Sequence, residues 1–284
     1  MKVIRTVKEM QRWAQNAHRK GKSIGLVPTM GYLHPGHISL IRKAGQENDY
    51  LVISIFVNPT QFGPKEDFKR YPRDFSRDKK LAKLNGVDIL FYPQVKDIYP
   101  PGFRTNVRVE DLSLRLCGAK RPGHFSGVAT IVLKLLNICR AQRTYFGQKD
   151  AQQAIIIKRM VSDLNVPTEI LIAPIVRQKN GLAFSSRNIY LNKQQKKNAA
   201  ILYKALQTAV DMIKSGEKAP RGIINKISRI IKATPGARID YIKIVDLDSL
   251  ETAQTLQRAQ LIALAVFFGQ TRLIDNVIVP DPRR

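Results

Sequence analysis

The 284-residue sequence is short of several things, and each shortage excludes a class of protein. No apolar run approaches the roughly 20 residues that a membrane-spanning helix requires. The first residues, Met1-Lys2-Val3-Ile4-Arg5-Thr6-Val7-Lys8-Glu9, lack the apolar core of a signal peptide. Two cysteines, Cys117 and Cys139, form neither a disulfide framework nor a zinc spacing. A reducing cytoplasm is the expected location, with no membrane partner. Acidic residues are few, 22 against 48 Lys and Arg, for a net charge of +26. Such an excess raises the question of nucleic acid. It is spread out, however: 29 Lys and Arg against 14 Asp and Glu in residues 1–175, and 19 against 8 in 176–284. There is no basic tail and no basic helix stripe. The densest local group, Lys193, Lys196 and Lys197, reads as a solvated helix face. No cognate nucleic acid is expected; an anionic substrate accounts for the charge as well.

What is present is a globular composition, 44% apolar and 25% charged, with length for one large domain or two modest ones. Histidine is rare, and three of the four lie beside glycine-containing turns: His34, His37 and His124. The first two belong to Val27-Pro28-Thr29-Met30-Gly31-Tyr32-Leu33-His34-Pro35-Gly36-His37. A short buried strand, 23–27, precedes this stretch, and Ile38, Leu40 and Ile41 begin a helix over about 37–48. Two imidazoles therefore sit in a strand-to-helix turn that Gly31 and Gly36 let bend close to a ligand. The amides opening the helix favour an anion. The pattern suggests a phosphate site, although an ordinary loop with two surface histidines has the same local sequence.

The rest of the chain alternates. Residues 5–20 form an expected helix, with Val7, Met10, Trp13 and Ala14 on one face. Leu51-Val52-Ile53-Ser54-Ile55-Phe56-Val57 has the unbroken apolar character of a parallel strand buried on both faces. It ends in Asn58-Pro59-Thr60-Gln61-Phe62-Gly63-Pro64. Strand ends of this kind are where open α/β sheets hold ligands, so Asn58 and Gln61 are candidates. A helix over 74–85 and a strand at 88–91 follow; 93–122 reads as loop. Residues 128–136 read as a buried helix and 143–146 as a strand running into Gly147-Gln148-Lys149-Asp150; a helix to about 162 and a strand over 169–173 come next. The polar stretch 175–191 marks an expected boundary between residues 1–176 and 177–284. Beyond it, helices over 193–215 and 219–233 and strands over 239–245, 260–268 and 271–279 suggest a small α+β module. The expected fold is thus α/β: a Rossmann-like parallel-sheet domain followed by a smaller α+β domain.

The loops offer imidazoles, amides, a lysine, an arginine and hydroxyls. The sequence has no Gly-x-x-x-x-Gly-Lys-Ser/Thr loop and no Gly-x-Gly-x-x-Gly fingerprint. No serine or cysteine stands beside a base in sequence. These groups suit charge stabilisation at phosphorus better than covalent catalysis. A His-x-x-His zinc pair completed by His124 is also conceivable, but a metal would take the imidazoles from phosphate.

His34-Pro35-Gly36-His37 resembles the His-x-Gly-His signature of the nucleotidyltransferase superfamily, and Ser185-Ser186-Arg187-Asn188 resembles its second, Lys-Met-Ser-Lys-Ser-like element. Longer stretches narrow this: Val27–His37, Phe56–Gly63, Arg70-Tyr71-Pro72-Arg73, Leu116-Cys117-Gly118, Arg121–Ala129, Tyr145–Asp150 with Gln152-Gln153, and Gly181–Asn188. Together they resemble the pantothenate synthetase (pantoate–β-alanine ligase) family over the whole chain. The similarity is densest through residue 191.

The resemblance implies a homodimeric ligase of coenzyme A biosynthesis that uses ATP with Mg²⁺ and joins pantoate to β-alanine through pantoyl adenylate, releasing AMP and pyrophosphate. By position it implies that the Pro28, Thr29, Met30 and Gly31 backbone, His34 and His37 hold ATP, with His37 as proton donor. Gly147, Gln148, Lys149 and Asp150 would meet nucleotide and phosphates, with Lys149 catalytic alongside the histidines. Val176 and Phe184 would lie on the nucleotide side, and Ser185, Ser186 and Arg187 would reach phosphates from a C-terminal lid. Gln61, Gln153 and Asn58 would hold pantoate, and Gln61 would also border β-alanine. Asn180 and Phe184 depart from the residues usual in the family at those places, which bears on lid details only.

Overall fold

The structure, a computed structural model, describes residues 1–64, 66–256 and 258–281. The chain divides into two compact units: Met1–Leu114, Gly118–Gln148 and Gln152–Pro174 form the first, and Arg115–Cys117, Lys149–Ala151 and the chain from Ile175 onward form the second. Among the described residues no helix is long and apolar enough to cross a membrane.

In chain order the elements up to residue 173 are β1 (Lys2–Ile4), α1 (Val7–Arg19), β2 (Ile24–Thr29), α2 (Pro35–Glu47), β3 (Tyr50–Ile55), α3 (Phe75–Leu84), β4 (Ile89–Phe91), α4 (Val95–Ile98), α5 (Leu116–Lys120), α6 (His124–Cys139), β5 (Arg143–Gly147), α7 (Ala151–Asp163) and β6 (Glu169–Ala173). The strands form one parallel sheet in the order β1-β4-β3-β2-β5-β6. The chain moves outward from β2 through β3 to β4, then returns to place β5 on the other side of β2. That reversal makes the carboxyl ends of β2 and β5 the switch point, where doubly wound sheets bind their ligands.

Burial follows from composition. Leu26, Val27, Val52 and Ile53 are fully buried, as expected of central strands covered on both faces. Val27, Ile41, Ala44, Ile53, Ala82 and Leu90 share one core that joins α2 and α3 to the strands. Helix α6 is apolar nearly all round and accordingly buried from Phe125 to Cys139 with few breaks. It begins at His124, earlier than the apolar run at 128 suggests, because Gly123 at φ 79° turns the chain into its first residue. Strand β1 is too short for its alternation to show in sequence, and the segment read as loop at 93–122 contains α4 and α5.

The second unit holds α8 (Lys193–Ala199), α9 (Ile201–Lys214), α10 (Pro220–Lys232) and the antiparallel strands β7 (Ala237–Asp246), β8 (Gln260–Phe268) and β9 (Thr271–Val279), paired β7-β8-β9. The single helix expected over 193–215 is divided at Ala200. Ile223, Ile227 and Ile231 of α10 and Leu202, Ala205, Leu206 and Ala209 of α9 form the seam against the sheet at helical spacing. The polar segment after residue 175 is built, not slack. Arg177 grips Asp275 with two nitrogens at 2.6 and 2.9 Å and donates to the Gly181 carbonyl at 3.1 Å.

The close approach of α6 to the turn after β3 positions the candidate site. A Cβ added at Gly127 would lie 2.4 Å from the Thr60 carbonyl oxygen, so only glycine lets the helix rest there. The Gly127→Ala substitution should therefore cost about 1–3 kcal/mol, the scale of overpacking. Urea unfolding measures it, and an unchanged midpoint would show that the turn yields freely.

Candidate active site

Strand β2 delivers Met30 and Gly31 to the switch point. Gly31 has φ 82° and Tyr32 has φ 52°, two successive left-handed residues, the second not glycine. They turn the Tyr32 and Leu33 amides into a small concave nest that suits an anion, while the Gly31 amide donates to Thr29 Oγ1 at 3.1 Å. Asp78, from α3 and 1% exposed, occupies it: its two carboxylate oxygens accept from Tyr32 N at 2.6 Å and Leu33 N at 2.8 Å. Arg77 donates to the Leu33 carbonyl at 2.8 Å, with its guanidinium 4.8 Å from the Tyr32 ring centre. The histidine loop is thus held through its backbone from α3.

His34 caps α2. Its amide donates to His37 Nδ1 at 3.3 Å, and the two rings stack with centroids 3.9 Å apart. A nitrogen that accepts an N–H carries no proton of its own, so neutral His37 carries its proton on Nε2. The ring can then donate from Nε2 to a ligand oxygen. The helix start supplies fewer amides to an anion than its sequence suggests. Pro35 has none, and His37 N turns back to the His34 carbonyl at 2.8 Å. The imidazoles, rather than a row of amides, are what this turn can offer an anion. The stack also does not converge on a metal with His124: among the described residues no group of three His, Cys, Asp or Glu side chains could hold an ion.

Beside the loop, the turn after β3 forms a web of neutral amides. Asn58 is 1% exposed and fully used. Its Nδ2 donates to Gln61 Oε1 at 3.2 Å and to the Gly127 carbonyl at 3.1 Å. Its Oδ1 accepts from Thr60 Oγ1 at 3.0 Å and Tyr99 OH at 2.8 Å. Burial pushes the Tyr99 phenol up, so it stays a donor. Asn58 therefore has no hydrogen-bonding capacity left for a ligand; it orients Gln61. With Oε1 taken, Gln61 presents Nε2, which meets the Met30 thioether at 3.0 Å. Sulfur is a weak acceptor, so a substrate oxygen can replace it at small cost. Gln153, half-buried on α7, belongs to the same unit; its neighbour Gln152 is buried and spent on the Leu112 carbonyl at 2.9 Å.

At the end of β5, a Cβ added at Gly147 would meet no described atom within 4 Å, which leaves room for close approach. The turn Gln148–Asp150 follows. Lys149 and Asp150 group with the second unit, where Asn276 Nδ2 donates to the Lys149 carbonyl at 3.0 Å. The Lys149 ammonium is not a lone charge: Asp150 Oδ1 lies 3.5 Å away. Val176, Phe184 and Ser185–Arg187 also lie in the second unit. Phe184 N donates to the Val176 carbonyl at 3.0 Å, and Ser185 Oγ caps the Ser186–Tyr190 turn by accepting from Arg187 N at 3.3 Å.

Sequence reasoning missed Asp78 and Arg77, which look like ordinary polar residues of an amphipathic helix. It noted Arg121 only within a family-like stretch and considered His124 only as a third zinc ligand, not as a partner of the Gln61 turn.

Two histidines after β2 and a glutamine amide after β3 thus stand at the carboxyl ends of neighbouring strands of a doubly wound sheet, where such sheets bind ligands. The sequence profile of the pantoate–β-alanine ligase family matches residues 2–278. Pantothenate synthetases from Acetivibrio thermocellus and Caldicellulosiruptor bescii are 54% and 52% identical over 279 residues, covering 98% of this chain and 99% of each relative. The crystal structure of pantothenate synthetase from Thermus thermophilus superposes with TM-score 0.92 at 42% identity, over 98% of this chain and 99% of that one. The Francisella tularensis ligase, solved with βγ-ATP and β-alanine, gives TM-score 0.81 at 38% identity, over 98% and 97%. The chain belongs to the pantoate–β-alanine ligase family.

Burial pushes the Asp78 carboxyl above its ordinary 3.8, although the Leu33 and Tyr32 amides and Arg77 pull the other way. The folded chain then holds that proton more tightly than the unfolded chain, so ionising Asp78 costs stability as pH rises through the carboxylate range. Asp78→Asn lacks this ionisation. Its stability relative to wild type should rise between about pH 4 and pH 7 in urea unfolding. A relative stability that is flat or falls with pH contradicts this assignment.

Proposed function

We propose that this chain condenses pantoate with β-alanine at the expense of ATP, through pantoyl adenylate, in the cytoplasm and as a homodimer. The observation that supports this most is the pairing of two different surfaces in one unit. A stacked imidazole pair suits phosphate, and a buried web of neutral amides suits a small hydroxy acid.

In the first step a pantoate carboxylate oxygen attacks the α-phosphorus of ATP. A new P–O bond forms, the α–β bridging P–O bond breaks, and pyrophosphate leaves. The Gln61 amide holds pantoate by exchanging the Met30 thioether for a substrate oxygen, and Gln153 assists. His37 donates from Nε2 to a phosphate oxygen, with His34 stacked behind it. Charge builds on the transferred phosphate in the transition state, so preorganised donors and cations lower the barrier. Lys149 is assigned to that charge, and so are Ser185, Ser186 and Arg187 of the second unit. Gly147 and Gln148 are assigned to the nucleotide, with Val176 and Phe184 at its base. In the second step the β-alanine amine attacks the acyl carbon. A C–N bond forms, the C–O bond to AMP breaks, and the amine gives up a proton.

Mg²⁺ is assigned to the ATP phosphates. Such ions keep waters and substrate oxygens and take only one or two protein carboxylates. Asp150, half-exposed beside Lys149, is the carboxylate of this segment that could supply one oxygen.

The defining test is AMP release that needs both pantoate and β-alanine; release with either one alone would point to a different acid or acceptor. Lys149→Ala should fold normally and slow pantoyl-adenylate formation roughly 10²–10³-fold, the scale of one lost electrostatic stabiliser. A single-turnover rate near wild type would remove Lys149 from the mechanism. Gln61→Ala should weaken pantoate binding by about tenfold or more and ATP binding by less than about twofold, because a site built to bond a substrate oxygen discriminates through that bond. Equal loss for both ligands would make Gln61 structural.

A further inference from the structure

His124 is the first residue of α6 and lies against the turn that carries Gln61. Its Nε2 is 2.8 Å from Arg121 Nη1, and its Nδ1 is 2.8 Å from the Gln61 carbonyl oxygen. Arginine can only donate and a carbonyl can only accept. Both bonds form together only when His124 is neutral, with its proton on Nδ1. Arg121 is fixed in turn: its Nε and Nη2 bind the two Glu66 oxygens at 2.7 and 2.6 Å. Its Nη2 also reaches the Gln61 carbonyl at 3.4 Å. Burial alone would push the Glu66 carboxyl up, but the Arg121 bond and charge outweigh it and hold Glu66 below the usual carboxylate range.

Arg121 and, through it, Glu66 are charged groups that face His124; the Phe125 ring lies 4.7 Å away between centroids. Protonating His124 would set an Nε2–H against the Arg121 N–H and place a cation at the positive end of α6. Glu66 is already engaged by Arg121 and offsets this in part.

We propose that His124 is a positioning residue: as a neutral Nδ1–H imidazole it relays the Glu66–Arg121 pair to the Gln61 carbonyl, and so fixes where the Gln61 amide meets pantoate. Asn58 sets the side-chain oxygen of Gln61 while His124 sets its backbone, which leaves Nε2 as the one polar group of Gln61 turned to substrate. The proposal rests on the reading of Gln61 as a pantoate ligand.

The test compares His124→Asn, His124→Gln and His124→Ala by calorimetric titration with pantoate and, separately, ATP. An asparagine amide can stand near the Nδ1 position and donate to the Gln61 carbonyl; glutamine places its amide nearer Nε2. The Asn variant should keep pantoate affinity within about threefold, while Gln and Ala should lose about tenfold, the scale of one lost hydrogen bond to a buried acceptor. ATP affinity should change less than about twofold in all three. Wild-type pantoate affinity should fall on the acid side of the ordinary histidine range, and this component should be missing from the Asn variant. Nitrogen-15 spectra of histidine-labelled wild type should show His124 protonated at Nδ1 and bare at Nε2. Equal loss in all three variants, or a proton on Nε2, overturns the proposal. If Gln61→Ala weakens pantoate but His124→Ala does not, the relay alone fails. If Gln61→Ala leaves pantoate affinity intact, the reading of Gln61 fails and the relay with it.

Discussion

A buried carboxylate seated in a nest of backbone amides is the constraint on which the site depends. Tyr32 stands in the left-handed region at φ 52°, which costs a residue with a Cβ about 1–2 kcal/mol. Two hydrogen bonds to an ionised acceptor, about 1.5–3 kcal/mol each, act against that cost and against the burial of the Asp78 charge itself. The position of Asp78 above its ordinary titration range shows that burial is the larger of the opposing effects. The fold thus gives up some stability to hold a charge under the histidine loop, and the loop gains a fixed path into α2. A Cβ at Gly31 would lie 2.9 Å from the same carboxylate, so the nest, the glycine and the acid require one another.

Above that clamp, protein partners satisfy most of the polar groups and leave a few atoms weakly engaged. Asn58 spends both its hydrogens and both its lone pairs on protein partners. Gln61 is left with an amide resting on a thioether, a contact easily exchanged. His37 accepts a backbone amide at Nδ1 and so keeps a proton on Nε2. On the proposed reading, neutral groups would meet the small acid and imidazole and cationic groups the phosphates. The first unit thus offers two chemically different surfaces, one of imidazole and one of amides.

Much of this was legible in the sequence, for identifiable reasons. Unbroken apolar runs such as Leu51–Phe56 mark buried parallel strands, so the βαβ order could be read directly, and the polar turn after the run singled out Asn58 and Gln61 as candidates. His34 and His37 stood out by rarity and by the glycines around them. Asp78 left no trace, because its partners are backbone amides some 45 residues away and any residue carries those. Asn58 stood out as a candidate but not as a saturated side chain, since saturation depends on Tyr99 and Gly127 arriving from distant segments. Likewise the cation of Lys149 was visible, whereas the anchoring of its carbonyl by Asn276 was not. Local pattern reports what a residue can do; only packing reports which of its atoms are already engaged.

The central claim is that pantoate is activated as an acyl adenylate. Turnover of pantoate carrying oxygen-18 in its carboxylate, with unlabelled ATP and β-alanine, tests it most directly. When the amine attacks the acyl carbon, the C–O bond to AMP breaks and one carboxylate oxygen departs with the nucleotide. Mass spectrometry should find one oxygen-18 in the phosphate of each AMP formed and none in pyrophosphate. Label in inorganic phosphate, or AMP free of label, would contradict the adenylate route.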